Sequence, residues 1–322
     1  MATHAKPPTI NDVAAAAGVS RQTVTRALND MADVSAATRQ RVMDAAEALH
    51  YRPNRAAQRL VRGRDVTIGF VVGDLRNPYY PELASELSRR AAAREWGLVM
   101  VDLSGHGGTE RVASVAERVD ALIGHLPSEH RSAIDVRTPT VLLADDPVHD
   151  GAWVRFDYER GMRDVVAHLL STGRRRIAVI DAKDQGPSMR MFVLVRVLAE
   201  HGLEPVVRTH APVTHRGGVA AAAALAGGAT GFDAVLCFND VLAVGALKGF
   251  ARAGIRVPQD VAVVGIDGLD IGTLVTPELT TLAVDMPELA DRALELAEAL
   301  LAGRRDDLHR TVDHTLVLRE SA

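Results

Sequence analysis

The spacing of apolar residues changes character along the chain, and the amino-terminal pattern is helical. In residues 9–29, TINDVAAAAGVSRQTVTRALN, Thr9 and Asp12 form a capping-box-like start. The apolar run from Val13 to Ala17 ends at Gly18, the residue type that most readily takes a left-handed helix stop. Ser20 can cap a second helix in which Val24, Ala27 and Leu28 fall on one stripe. Gln22, Thr25, Arg26 and Asn29 lie opposite that stripe, with Arg21 on its flank in the first turn. Two short helices joined by a Gly-containing turn describe a helix-turn-helix DNA reader. A solvated helix face presents the same pattern, so periodicity alone leaves both readings open. A third helix follows, with Ser35 as cap, Val42, Ala45 or Ala46, and Leu49 as its stripe, and Arg39 and Arg41 turned outward. Pro53 ends it, and Asn54 to Val61 could make two further helical turns before Gly63. A helix that short needs a partner to hold it in water.

From Val66 the texture becomes apolar runs alternating with amphipathic stretches. The runs at 66–72, 98–102, 120–126, 140–144, 176–181, 234–238 and 261–267 predict strands. Helical stretches such as PELASELSRRAAARE, GMRDVVAHLLSTG and DVLAVGALKGFARAG lie between them. Near-continuous apolar strands separated by helices predict parallel sheets covered on both faces, with ligands beyond the carboxyl ends of strands. Those ends are polar here: Asp74, Asn239-Asp240 and Asp267. For Asp240 the expected role is to cap the helix that follows.

Charge sharpens the division. The chain of 322 residues carries a formal net charge of -4, which argues against a nucleic-acid binder. Residues 1–64, however, hold ten Lys/Arg against five Asp/Glu, and the remaining 258 hold 27 against 36. A basic arm on an acidic body suits a DNA-reading head attached to a body that does not itself adhere to DNA. The densest positive segment is His50 to Arg64, with Arg52, Arg55, Arg59, Arg62 and Arg64 and no acid. The single cysteine, Cys237, lies in the apolar run AVLCF and is expected to be a buried strand residue, which excludes an internal disulfide framework. No run of 18 apolar residues occurs, and MATHAKPPTI lacks the apolar core of a signal peptide, so no membrane association and a cytoplasmic location are expected. The motifs GxGxxG after a strand, P-loop, HExxH and GxSxG are absent, and the twelve histidines show no metal-ligand spacing. Neither catalysis nor a metal or other cofactor is expected. An extracytoplasmic solute-binding protein would need an export signal and no basic head.

Several segments together resemble LacI/GalR-family transcriptional regulators over nearly the full length. They are TINDVAAAAGVSRQTVTRALN, VSAATRQRVMDAAEALHYRPNRAAQRL, TIGFVVGDLRNPYYPEL, DYERG at 157–161, FNDVLAVGALKGFARAGIRVPQDVAVVGIDG, and PELTTL. The resemblance implies an α/β protein: a small all-α helix-turn-helix head (1–52), a hinge helix and linker (53–64), and a periplasmic-binding-protein-like core (65–322). That core would have two subdomains with parallel sheets, one of about 65–157 and 286–307, the other of about 158–284 and 310–322. It implies a homodimer on double-stranded, pseudo-palindromic operator DNA. Arg21 and Gln22 then sit where base edges are read, with Arg26 beside them, Arg suiting guanine and Gln adenine. Thr9, Ser20, Thr23, Asn29 and Asn54 become phosphate or register contacts. Asn54 to Leu60 matches the hinge helix, which includes Arg55. Ala56 and Ala57 are small enough for two such helices to pack across a minor groove, and Leu60 matches a leucine wedged into the central base step.

The core would hold a small-molecule effector between its subdomains, at Asp74, Tyr79, Tyr80, Arg190, Asn239 and Asp267. Acid, amide and guanidinium groups there suit hydrogen bonding to a polyol or similar polar ligand. This chain departs from the family pattern in four places. Ala144 stands where an aspartate often ends the fourth strand, with Asp145 and Asp146 following. Val193 replaces a glycine, Val213 replaces a stacking aromatic, and GHGGTERVASVAER shortens a helix. The departures suit a smaller or atypical effector, or a DNA-binding regulator whose cleft responds to no small molecule. No heptad appendage follows the final strand, so a dimer is expected rather than a tetramer.

Overall fold

A computed structural model of the chain describes residues 9–28, 31, 34–49, 66–135, 137–145, 151–182 and 186–322. It divides into two units, residues 1–64 and 65–322.

The first unit contains α1 (Ile10–Ala17), α2 (Arg21–Leu28) and α3 (Ala36–Ala48). The Asp12 carboxylate reaches back to the Thr9 N–H at 2.6 Å and accepts from the Thr9 hydroxyl at 2.7 Å. Gly18 closes α1 with φ 64°, as the sequence predicts. Ser20 Oγ accepts from the Thr23 N–H at 3.0 Å and Ser35 Oγ from the Thr38 N–H at 3.2 Å, so hydroxyl caps start the next two helices. Val13, Val24 and Val42, one from each helix, are wholly buried and meet Ala14, Ala17, Ala27 and Ala46. So small a core depends on each of these side chains.

The second unit runs β1 (Thr67–Val72), α4 (Tyr79–Ala92), β2 (Gly97–Asp102), α5 (Gly108–Ala116), β3 (Ala121–Gly124), α6 (Ser128–Arg131), β4 (Thr140–Ala144) and β5 (Ala152–Asp157). It continues through α7 (Glu159–Ser171), β6 (Ile177–Asp181), α8 (Met189–Glu200), β7 (Val207–His210), α9 (His215–Ala226), β8 (Ala234–Cys237), α10 (Asp240–Arg252) and β9 (Ala262–Asp267). After a 3-10 turn at Asp270–Thr273 come β10 (Thr280–Val284), α11 (Met286–Leu301) and β11 (His309–Val317). The strand order is β2-β1-β3-β4-β5-β11-β10-β9-β8-β6-β7. Every pairing is parallel except β10 with β11. β11 is shared: His309–Asp313 pair with β5, and His314–Val317 pair with β10. One strand therefore joins two half-sheets, and the chain also crosses between them at β5 to α7 and at β10 to α11. α11 packs on α4 and on β3, β4 and β5.

All seven strands foreseen from apolar runs are present, and β5, β7, β10 and β11 join them. The additional four escape a search for apolar runs for physical reasons. β5 (AWVRFD) alternates buried with half-buried positions, β7 is a sheet edge, and β11 mixes His, Arg, Thr and Asp. β10 opens with two buried threonines whose hydroxyls have partners: Thr281 Oγ1 donates to Asp240 at 2.6 Å, and Thr280 Oγ1 accepts from the Arg319 N–H at 2.9 Å. Cys237 is fully buried at the end of β8, and burial pushes its thiol pKa up.

Close backbone packing sets the second half. A Cβ on Gly245 would lie 2.2 Å from the His215 carbonyl oxygen, and one on Gly218 would lie 2.2 Å from that of Leu242. α9 and α10 thus touch through glycine, which no larger residue allows without parting them.

Candidate functional site

Two sets of residues carry the chemistry. In the first unit, Val24 and Ala27 turn α2 toward the small core and leave Arg21, Gln22 and Arg26 exposed. Arg21 and Gln22 open the helix, while Arg26 lies one turn beyond Gln22. Thr25 Oγ1 donates to the Arg21 carbonyl at 3.1 Å. Ser20 and Thr23 are joined hydroxyl to hydroxyl at 2.9 Å. Thr9 is exposed at the start of α1. Asn29, Asn54, Arg55, Ala57 and Leu60 lie outside the described residues.

In the second unit the predicted ligand positions gather at the carboxyl ends of β1, β8 and β9 and at the starts of α4 and α8. Arg190, in the first turn of α8 and 8% exposed, is the centre. Its Nη1 donates to Asp267 Oδ1 at 2.8 Å and to the Phe238 carbonyl oxygen at 3.0 Å. Its guanidinium lies 4.6 Å from the Phe238 ring and 5.5 Å from the Tyr158 ring. Its Nε is buried without a hydrogen-bond partner and faces Asp145 Oδ2 at 3.9 Å. Burial opposes the charge on Arg190, but Tyr158, Asp267 and Asp145 outweigh it and hold the group protonated. Asp267 ends β9 with φ 124°, a backbone conformation that costs a non-glycine residue of the order of 1–3 kcal/mol. Burial pushes its carboxyl up to about 7 against the opposing pull of Arg190.

Tyr79 and Tyr80 begin α4 and pack edge to face, their ring centres 5.3 Å apart. Tyr79 Oη and His125 Nε2 are 3.1 Å apart, and His125 stacks on Phe156 at 5.8 Å. The Tyr80 hydroxyl lies 2.7 Å from where a Cβ on Gly73 would be, so a larger residue there would push the Tyr80 ring aside. Asp74 sits at the rim and is held by the Arg76 guanidinium at 2.7 Å, which keeps its carboxyl below the usual range. Asn239 is buried and caps α10, its Oδ1 accepting from the Leu242 N–H at 3.0 Å.

One expectation changes. Asn239, not Asp240, caps the following helix. Asp240 is fully buried and instead accepts from the Leu269 N–H at 2.7 Å and from Thr281, anchoring the turn after Asp267. Where Ala144 departs from the family pattern, an aspartate stands one residue later. Asp145 accepts from the Tyr158 hydroxyl and faces Arg190. Burial works against the Asp145 carboxylate, yet Arg190 and Tyr158 bring its pKa below the ordinary value.

His125, Tyr158, Phe238 and His314 thus join the cluster without having been singled out, together with Asp145, which the sequence marks only as following Ala144. Four of them stand at or just beyond strand ends, the position that signals ligand contact in such sheets. His314 is 2% exposed on shared β11, its ring 4.3 Å from that of Tyr158, and its Nδ1 is 3.2 Å from the Asp157 carbonyl oxygen. Burial lowers its pKa to about 3 and that of His125 to about 4, so both imidazoles are neutral at pH 7. Val193 is buried on α8, and Val213 is half-buried before α9. A second link between the halves is the Asp270 N–H, which donates to Glu82 of α4 at 3.3 Å. The arrangement can present carboxylate acceptors and an unspent guanidinium donor to a polar ligand between aromatic rings. Among the described residues no group of His, Cys, Asp and Glu could hold a metal ion, and no helix is long and apolar enough to cross a membrane.

Residues 9–54 match the model of bacterial regulatory proteins of the lacI family, and residues 166–322 match the periplasmic binding protein-like domain. The HTH-type transcriptional regulator GalR of Escherichia coli (strain K12) is 30% identical over 333 residues, covering 97% of this chain and 95% of that protein. A LacI family transcriptional regulator from Arthrobacter sp. FB24 in complex with lactose is 33% identical, with a TM-score of 0.74, over 80% of this chain and 100% of that one. The lac repressor dimer bound to operator and the anti-inducer ONPF is 28% identical, with a TM-score of 0.70, over 98% of this chain and 99% of that one.

Proposed function

The chain belongs to the lacI family of bacterial regulatory proteins and is a DNA-binding transcriptional regulator; on that premise we propose that it is a homodimeric repressor controlled by a small polar effector. Its operator is pseudo-palindromic, and each head lays α2 in a major groove. Arg21, Gln22 and Arg26 read base edges, while Thr9, Ser20, Thr23, Asn29 and Asn54 hold register on phosphates. Ala57 packs against its counterpart across the minor groove, Leu60 wedges the central step, and Arg55 adds charge there.

The effector is a sugar-like polyol seated among Asp74, Tyr79, Tyr80, Asp145, Arg190, Asn239 and Asp267. The observation that carries this reading is Arg190, buried between Asp267 and Asp145 with an unpartnered Nε. A buried donor without a partner is costly, and a ligand hydroxyl would satisfy it. Asp145 lies in the first half and Asp267 in the second, so a ligand engaging both favours one relation of the halves over others. Because β11 belongs to both half-sheets, that preference reaches the whole core. Coupling to DNA is reciprocal: an effector that weakens operator binding is itself bound more weakly by the operator complex.

The test selects an operator from random duplexes and screens polyols and related metabolites by thermal shift, since a ligand of the folded state raises its melting temperature. Arg21→Ala should lose discrimination at one base position; uniform weakening across sequences would instead mark a phosphate contact. A core stabilised by no metabolite, with unchanged operator binding, would favour a cleft that responds to no small molecule.

A further inference from the structure

A groove that runs from the starts of β4, β5 and β11 to Leu126, just beyond the end of β3, plays no part in the reading above. Its volume is about 530 Å³, within the range of small-molecule sites. Leu126, Leu142, Ala152 and Leu308 form its floor, with Ile134 and Leu300 at the sides.

The rim is charged, and its charges are unevenly spent. Arg137 is committed to Asp135 at 2.6 Å, and Asp307 accepts from Arg310 at 3.1 Å. Arg131 and Arg305 are exposed on the rim and have no carboxylate partner among the described residues. Arg305 Nη1 donates only to the neighbouring Arg304 carbonyl, at 3.0 Å. His309 stacks on Trp153 with ring centres 4.3 Å apart and planes 12° from parallel, which holds that wall in place.

We propose that this groove is a second ligand site, taking a small organic anion that carries one carboxylate, phosphate or sulfonate group on an apolar body. The apolar body covers the leucine floor, and the anionic group meets the guanidiniums of Arg131 and Arg305. Guanidinium favours such oxyanions because its fork of donors matches their geometry. The groove shares no lining residue with the Arg190 cluster, so the two ligands would contact different side chains. It touches His309, the first residue of the strand shared by both half-sheets, so occupancy bears directly on β11.

The probe is 8-anilinonaphthalene-1-sulfonate, titrated into the full chain at neutral pH and followed by its fluorescence, with N-phenyl-1-naphthylamine as the uncharged analogue. Saturable binding of the sulfonate is expected, weakened roughly tenfold or more in the Arg131→Ala/Arg305→Ala double variant, the loss of a charge-assisted hydrogen bond. The uncharged analogue should bind more weakly by a similar factor and be indifferent to the double substitution. Both arginines are exposed, so the variant should keep the wild-type melting temperature, which separates lost binding from lost folding. Absence of saturable binding, sulfonate binding that the double variant leaves unchanged, or equal affinity for the uncharged analogue overturns the proposal.

Discussion

Replacing Tyr158 with Phe removes one oxygen from a ring that is 2% exposed and takes away the hydroxyl that donates to Asp145. Asp145 keeps Arg190 Nε at 3.9 Å, and its own side chain is 30% exposed, so water replaces part of the lost bond. A hydrogen bond to a charged group contributes about 1.5–3 kcal/mol, and with partial replacement Tyr158→Phe should cost about 1–2 kcal/mol. Asp145→Asn keeps an acceptor and loses the charge, so the double variant should show a coupling of about 1 kcal/mol between the two positions. Urea denaturation followed by tryptophan fluorescence measures it. Both tryptophans, Trp96 and Trp153, belong to residues 65–322, so the signal reports that unit alone. The corresponding fall in melting temperature is roughly 2–8 °C. Single costs that add to within about 0.3 kcal/mol would refute the Tyr158–Asp145 pair, and with it the view that Asp145 stands in for the residue missing at 144.

The buried imidazoles give a pH dependence of known sign. His125 and His314 have folded pKa values of about 4 and about 3, below the unfolded value, so their contribution is complete above about pH 6.5 and is lost as pH falls toward 4. Asp267, raised to about 7, acts oppositely, its contribution being complete below about pH 4 and lost as pH rises through 7. The His125→Gln/His314→Gln variant should therefore gain stability relative to wild type as pH falls from 6.5 to 4 in urea melts; a parallel pair of curves would contradict the burial of both rings. Gly245→Ala places a methyl 2.2 Å from the His215 carbonyl oxygen and should destabilise the core by about 1–3 kcal/mol, and an unchanged melt would refute the contact of α9 with α10. Ser20→Ala removes the cap on the Thr23 N–H and should cost the head about 1 kcal/mol by far-ultraviolet circular dichroism while leaving the tryptophan melt alone; a shifted tryptophan melt would contradict that assignment.

The head was the most legible part of the chain because its signals are local. Capping at Thr9 and Ser20, the stop at Gly18 and the stripe of Val24 and Ala27 each depend on residues within one or two turns. Strands buried on both faces were also plain, since they must be continuously apolar. What stayed hidden depends on distant partners. β11 reads as a polar segment because its two halves serve different sheets, and β10 hides behind threonines satisfied by Asp240 and Arg319.

The cluster around Arg190 shows the same limit. Arg190 and Asp267 are 77 residues apart, and only the fold brings them within 2.8 Å. Ala144 departs from the family pattern as the sequence shows, but the sequence does not reveal that Asp145 beside it faces Arg190. The chain turns after β4 so that Asp145 faces Arg190, and Tyr158 from beyond the next strand completes the bond. Asn239 takes the cap expected of Asp240 for a similar reason. A cap needs only the Leu242 N–H three residues on, whereas the partners of Asp240 lie 29 and 41 residues away.

Whether the Arg190 cluster sets the affinity of α2 for its operator is decided by an operator titration. Operator binding is measured by fluorescence anisotropy, with and without the effector found by thermal shift, for wild type, Arg190→Ala and Asp267→Ala. Effector should change operator affinity in the wild type, and each variant should bind operator as the wild type does with no response to effector. Two variants that still respond would contradict it.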